Sequence, residues 1–213
     1  TAASRRRNRR YSAGRPPAVG ARPDRRPHPV TGSTASRDPV TGAALVRLTE
    51  SAVFQHHLHQ SGPTLTPDGS RLVWVSWETG SPNLCARLVA GGEVRRLTYR
   101  KDLRPLSPVI TRDGLAVLYT ARETLMAATL EEGEETELAV FAGAVAGDPA
   151  AAPDGRTVIV PVATGSRARI VEVDLFTKAQ RVLLDEPSRA APGRVQISPD
   201  GTRVLLEGAP GEM

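Results

Sequence analysis

The sequence predicts an all-β chain, an incomplete β-propeller of three four-stranded blades plus the start of a fourth, behind a disordered N-terminal tail. Three observations carry this. Pro-Asp-Gly recurs at 67–69, 153–155 and 199–201, with the variant Arg112-Asp113-Gly114 between them, so Asp68, Asp113, Asp154 and Asp200 are 45, 41 and 46 residues apart. Each Asp-Gly supplies the positive φ of a tight turn, and a strand-like apolar run follows it: Arg71 to Trp77, Leu115 to Thr120, Thr157 to Val162 and Thr202 to Leu206. No stretch sustains an apolar period of 3.6, so no helix is expected. Four antiparallel strands per unit at this spacing describe propeller blades, whereas a β-sandwich would not repeat one tripeptide at near-constant intervals.

Residues 1–38 form the tail. They hold ten of the 28 basic residues against Asp24 and Asp38, a charge of +8 that leaves the rest of the chain at −3 of the overall +5. Rich in Pro, Gly, Ser and Arg, with only Tyr11, Val19 and Val30 as sizeable apolar groups, the segment cannot bury enough surface to offset its ordering entropy. It has no interleaved aromatics, so any attraction to nucleic acid is non-specific and electrostatic. After Arg9-Arg10 comes Tyr-Ser-Ala-Gly-Arg-Pro-Pro rather than an apolar stretch, so no convincing export signal is read. Localisation stays open.

Residues 39–213 form the partial propeller. In the first unit Thr64–Thr66 leads into the corner, Arg71–Trp77 follows it, the Gly80-Ser81-Pro82 turn leads to Asn83–Val89, and Gly91-Gly92 leads to Val94–Thr98. The second unit continues with Leu125–Leu130 and Thr136–Phe141 around an acidic turn at Gly133, and the third with Arg169–Leu175 and Gln180–Leu184. The four corner aspartates read as turn formers, not as catalytic acids. Cys85, the single cysteine, lies in mid-strand and reads as a small buried hydrophobe, and one cysteine excludes an internal disulfide or a Cys-based zinc site. No apolar run approaches the ~18 residues of a membrane span.

Three units and part of a fourth fall short of the roughly four to eight blades that close a ring. The polypeptide is therefore expected to be the N-terminal part of a longer propeller whose remaining blades follow in cis, with a dimer of arcs as the alternative.

Function in such folds concentrates on loops at the channel mouth. The linker 49–62 carries His56, His57 and His59, which would converge on a ligand carboxylate or stand as polar wall groups; with only Glu50 beside them they do not make a metal site. The next linker carries Arg100, Lys101 and Arg104, cations suited to carboxylates, or else a solvated charged loop. These six are the candidate substrate-binding residues, and no catalytic residue is assigned. No Gly-x-Ser-x-Gly elbow and no phosphate-binding glycine loop is present.

The units resemble the TolB-type, WD40-like propeller repeat in Thr66-Pro67-Asp68-Gly69, Ser76 to Gly80, Asn83-Leu84 and the closing Arg96-Leu97-Thr98. Within that group, residues 38–98 are most similar to the oligogalacturonate lyase family: Asp38-Pro39-Val40-Thr41-Gly42, then Val46-Arg47-Leu48-Thr49, then a linker with His56-His57, then the first Pro-Asp-Gly. Where that family carries an aromatic pair after the histidine, this chain reads Leu58-His59-Gln60-Ser61. The resemblance implies β-elimination on pectin-derived uronate oligomers or another acidic glycan, and a divalent cation held by histidines of later blades, beyond Met213. It also implies that this arc alone is inactive. Two other functions fit such repeats: a TolB-like module that binds a protein or glycan without chemistry, and the propeller of a prolyl oligopeptidase-type peptidase.

Overall fold

The computed structural model describes residues 34–47, 49, 51–59, 62–187 and 193–207. The expectation of a disordered tail concerns residues that lie almost wholly outside this set. At its end, however, Thr34–Arg37 is a strand, β1, paired antiparallel with β2 (Ala44–Arg47), so ordered pairing begins before residue 39.

Three sheets follow in sequence. The first is β3 (Gln55–His57), β4 (Arg71–Ser76), β5 (Asn83–Leu88) and β6 (Arg95–Arg96); the second is β7 (Val109–Ile110), β8 (Ala116–Ala121), β9 (Thr124–Thr129) and β10 (Glu135–Val140). In the third, β11 (Val145–Ala146) and β12 (Ala150–Ala151) both pair with β13 (Thr157–Thr164), followed by β14 (Arg167–Asp174) and β15 (Gln180–Pro187). A fourth begins as the hairpin β16 (Arg194–Ile197) and β17 (Val204–Glu207). Every named pairing is antiparallel and runs from each strand to its successor in chain order, apart from the two short strands that share β13. Among the described residues there is no helix, and hence none long and apolar enough to cross a membrane.

The corners form for a reason that the tripeptide makes visible. The carboxylate of Asp68 accepts from the Thr66 hydroxyl (2.5 Å) and the Ser70 amide (3.0 Å), and that of Asp200 accepts from the Ser198 hydroxyl (2.6 Å) and the Thr202 amide (3.0 Å). The following glycines, Gly69 and Gly201, sit at φ +69° and +73°, where a Cβ is penalised. Hydrogen bonds from Thr66 and Ser198 lead in lowering Asp68 and Asp200 to a pKa of about 2, and the Thr177 amide leads in doing the same for Asp174. Because their folded values lie below the ordinary 3.8, these carboxylates contribute stability above pH ~4 that is lost as pH falls toward 2. Acid unfolding followed by circular dichroism is expected in that window, and Asp68→Asn should flatten it; an unchanged acid profile would contradict the assignment.

Alternation along the strands distributes the core between neighbouring sheets. Val73, Val75, Leu84 and Ala86 of the first meet Val117, Tyr119, Met126 and Ala128 of the second. On its other face the second sheet presents Leu118, Leu125 and Leu138 to Val158, Val160, Val171 and Val173 of the third. The third in turn presents Ile159 and Ile170 to Val195 of the fourth. One residue of register slip would reverse every one of these contacts. Trp74 and Cys85 are buried on the other face of the first sheet, while Trp77, just beyond β4, packs against the core shared by the first and second. Burial pushes the Cys85 thiol up to about 12, which removes it as a nucleophile near neutral pH.

Candidate functional site at the heads of the inner strands

In each of the three complete sheets the innermost strand is broken into two short pieces. In the first, Gln55–His57 pairs with Trp74 to Ser76, and Leu65 later bridges Leu72. In the second, Leu103 bridges Ala121 before Val109–Ile110 pairs with Val117 and Leu118. In the third, Val145–Ala146 pairs with Val162 and Ala163 before Ala150–Ala151 pairs with Val158 and Ile159. The expectation of a plain linker over 49–62 is thus corrected: His56 and His57 belong to a strand piece, opposite Val75 and Trp74. Gln-His-His carries no alternating apolar pattern, so the piece was not legible as a strand.

The residues between the two pieces, together with Arg194 at the start of β16, bring polar groups of all four sheets together. Arg104, whose amide donates to the Thr120 carbonyl (2.9 Å), directs its Nε to Asp148 Oδ1 at 2.6 Å. Asp148 forms a parallel bridge with Arg194, its amide donating to the Gly193 carbonyl (3.0 Å). Arg194 Nη1 lies 3.2 Å from His59 Nε2. The series His59, Arg194, Asp148, Arg104 therefore joins the first, fourth, third and second inner strands in one polar chain. Asp148 has a side chain 12% exposed and offsets the charge of Arg104. Arg194 meets an imidazole and makes no ion pair with a carboxylate among the described residues, so the chain carries a net positive charge.

The other candidates lie elsewhere. Arg100 is held by Asp102 in a bidentate pair (2.9 and 3.1 Å), and its backbone is tied to buried Asn83, whose Oδ1 accepts from the Arg100 amide at 2.7 Å. The Arg100 guanidinium accordingly holds the Asp102 carboxyl below the usual carboxylate range. Lys101 is exposed. His57 is exposed, and His56 stacks obliquely with Phe54 (5.8 Å between centroids) and Trp77 (5.3 Å). Of the four residues in this polar chain, the sequence singled out His59 and Arg104 and not Asp148 and Arg194. A usable signal existed: His59 and Arg104 each precede their corner aspartate by nine residues, Asp148 and Arg194 by six. Among the described residues no three His, Cys, Asp or Glu side chains converge as metal ligands.

No protein-family model matches the chain, and no curated protein matches it in sequence. Solved structures do. An oligogalacturonate lyase in complex with manganese is similar at 21% identity and a TM-score of 0.69, over 85% of this chain and 60% of that one. An oligogalacturonate lyase from Vibrio parahaemolyticus gives 19% and 0.66, over 77% of this chain and 49% of its own. The fold is an incomplete β-propeller. TolB from Acinetobacter baumannii shares it, at 20% identity and a TM-score of 0.55, over 82% of this chain and 42% of that one. The propeller arc described here thus spans about half to three-fifths of the length of the lyases it matches. At these identities the likeness concerns the fold.

Proposed function

We propose that this arc is the N-terminal part of an oligogalacturonate lyase-like propeller that cleaves pectin-derived uronate oligomers by β-elimination, its remaining blades following in cis. The observation that supports the reading most is the polar chain His59–Arg194–Asp148–Arg104, a net cationic group at the heads of the inner strands. β-Elimination at a 4-linked uronate removes the proton α to a carboxylate, so the site must hold that carboxylate and stabilise the enolate charge that develops on it. Arg194, which makes no carboxylate pair among the described residues, is the group to bind the uronate. Asp148 keeps Arg104 oriented beside it. A divalent cation would add charge neutralisation at the enolate, and its ligands would come from the remaining blades.

The test is ultraviolet absorbance of the unsaturated product, recorded on the full-length protein with and without chelator. Product formation that chelator abolishes is expected; absence of product from every oligogalacturonate would reject the lyase reading, and binding without product would indicate a TolB-like binding module. In the same protein Arg194→Ala is expected to raise the apparent Kd for trigalacturonate about tenfold, the order of one lost charge-assisted hydrogen bond. Its affinity should also depend less on salt, which calorimetry at two ionic strengths would read.

A further inference from the structure

The third blade is built from longer strands than its neighbours, and a cavity lies where its extra length meets the second blade. Strands β13 and β14 have eight residues each, whereas β4, β5, β8 and β9 have six. The face that this sheet turns toward the second blade, together with the segment that leaves β10, encloses a space of about 270 Å³. Phe141, Ala144, Val162 and Val171 give it apolar walls. Val140 of β10 and Val182 of β15 also line it and are 42% and 51% exposed, which places its mouth between the two outer strands. None of the four residues of the inner-strand cluster lines it.

One charge borders this apolar space. Arg169 pairs in register with Val162, eight residues past the corner Asp154; the same place holds Asn83, opposite Ser76, in the first blade and Thr124, opposite Ala121, in the second. Asn83 is fully engaged, its Oδ1 accepting from the Thr98 hydroxyl (3.0 Å) and the Arg100 amide (2.7 Å). The Arg169 guanidinium is not. Its Nη2 donates to Thr164 Oγ1 at 3.2 Å, but its Nε is buried without a partner and its Nη1 has none among the described residues. Asp185, its cross-strand neighbour on β15, is taken by Arg167 at 2.8 Å, and Glu123 of the second blade accepts from the Gly143 amide at 2.9 Å. Arg169 makes no ion pair among the described residues.

A guanidinium beside apolar walls, short of both acceptors and a counter-charge, is costly until something supplies them. Water suits the place poorly, since it needs about two to four polar partners and the only polar side chains lining the cavity are Arg169 and Gln180. We propose that this inter-blade cavity binds a small monocarboxylate with an apolar, ring-sized body. The carboxylate completes Arg169, and the body fills the space against Phe141, Val162 and Val171. Size agrees: an apolar cavity of about 150 Å³ holds benzene, so 270 Å³ accommodates a ring and its carboxylate. The hydroxyls of a sugar acid would be stranded among valines. The ligand therefore differs in class from the uronate proposed for the inner-strand heads, and the site stands whether or not that reading does.

Benzoate is the probe, titrated into the intact 213-residue chain while the valine methyl and arginine Nε–H signals are followed by NMR. Saturable shifts at Val162, Val171 and Arg169 are expected with an apparent Kd of about 1 mM, the range open to a ligand of so few atoms. Benzamide keeps the ring without the charge and acetate keeps the charge without the ring; each should bind about tenfold more weakly. Arg169→Gln should weaken benzoate by about tenfold, and Ala144→Phe, which fills the cavity from the opposite wall, should abolish the shifts, both with unchanged circular dichroism. The proposal is overturned if benzoate produces no saturable shift at these three residues, if benzamide binds as tightly, or if folded Arg169→Gln retains full affinity. The first two readings use the unsubstituted chain and hold even where a variant fails to fold.

Discussion

Asp148→Ala and Arg104→Ala are each expected to destabilise the arc, Asp148→Ala by about 2–3 kcal/mol. The carboxylate is nearly buried and lies 2.6 Å from Arg104 Nε, whose side chain is 37% exposed. Removing one partner of a fully buried pair costs about 3–5 kcal/mol because the other charge is left uncompensated; partial access of water to Arg104 reduces that figure. Removing Arg104 instead leaves the nearly buried Asp148 carboxylate without its counter-charge, while the hydrogen bond from the Asp148 amide to the Gly193 carbonyl persists in either variant. Urea unfolding of both variants and of the double variant measures the coupling. The double variant should recover part of the Asp148→Ala loss, and strict additivity would show that the pair does not organise the inner-strand heads.

This cluster also marks where the sequence was legible. The corners were, because Thr/Ser-Pro-Asp-Gly encodes both its hydrogen bonds and its positive φ within four residues, and the runs after them alternate visibly. The inner strands of the three complete sheets were not, because each is two short pieces of one to three residues separated by an irregular loop, too short to display a period. Arg100 and Arg104 look alike in the sequence. The fold separates them, since an aspartate two residues away claims Arg100, whereas Arg104 reaches a residue 44 positions on. The strand at Thr34–Arg37 was hidden within an arginine-rich composition that argued for disorder. Only its turn, Asp-Pro-Val-Thr-Gly, carried the signal.

Gly133→Ala is expected to cost about 2–4 kcal/mol, although the residue lies in a turn flanked by four glutamates that reads as a solvated tip. Gly133 has φ +67°, and a Cβ there would meet the Leu97 carbonyl oxygen at 2.9 Å and its Cα at 3.1 Å. Leu97 cannot give way, being fully buried with its amide donating to Leu84 at 2.7 Å. The turn is further drawn onto the first blade by Arg71, which donates to the Leu130 carbonyl and to Glu131 at 3.0 and 2.9 Å. The left-handed backbone alone costs a non-glycine residue about 1–2 kcal/mol, and displacing packed main chain adds the remainder. Gly165→Ala is the control: φ is +56° but nothing lies within 4 Å of the added carbon, so only the conformational cost applies. Thermal melts should separate the two variants by about 3–8 °C in Tm. Equal melting temperatures would mean that the approach of Gly133 to Leu97 contributes nothing to holding the first and second blades together.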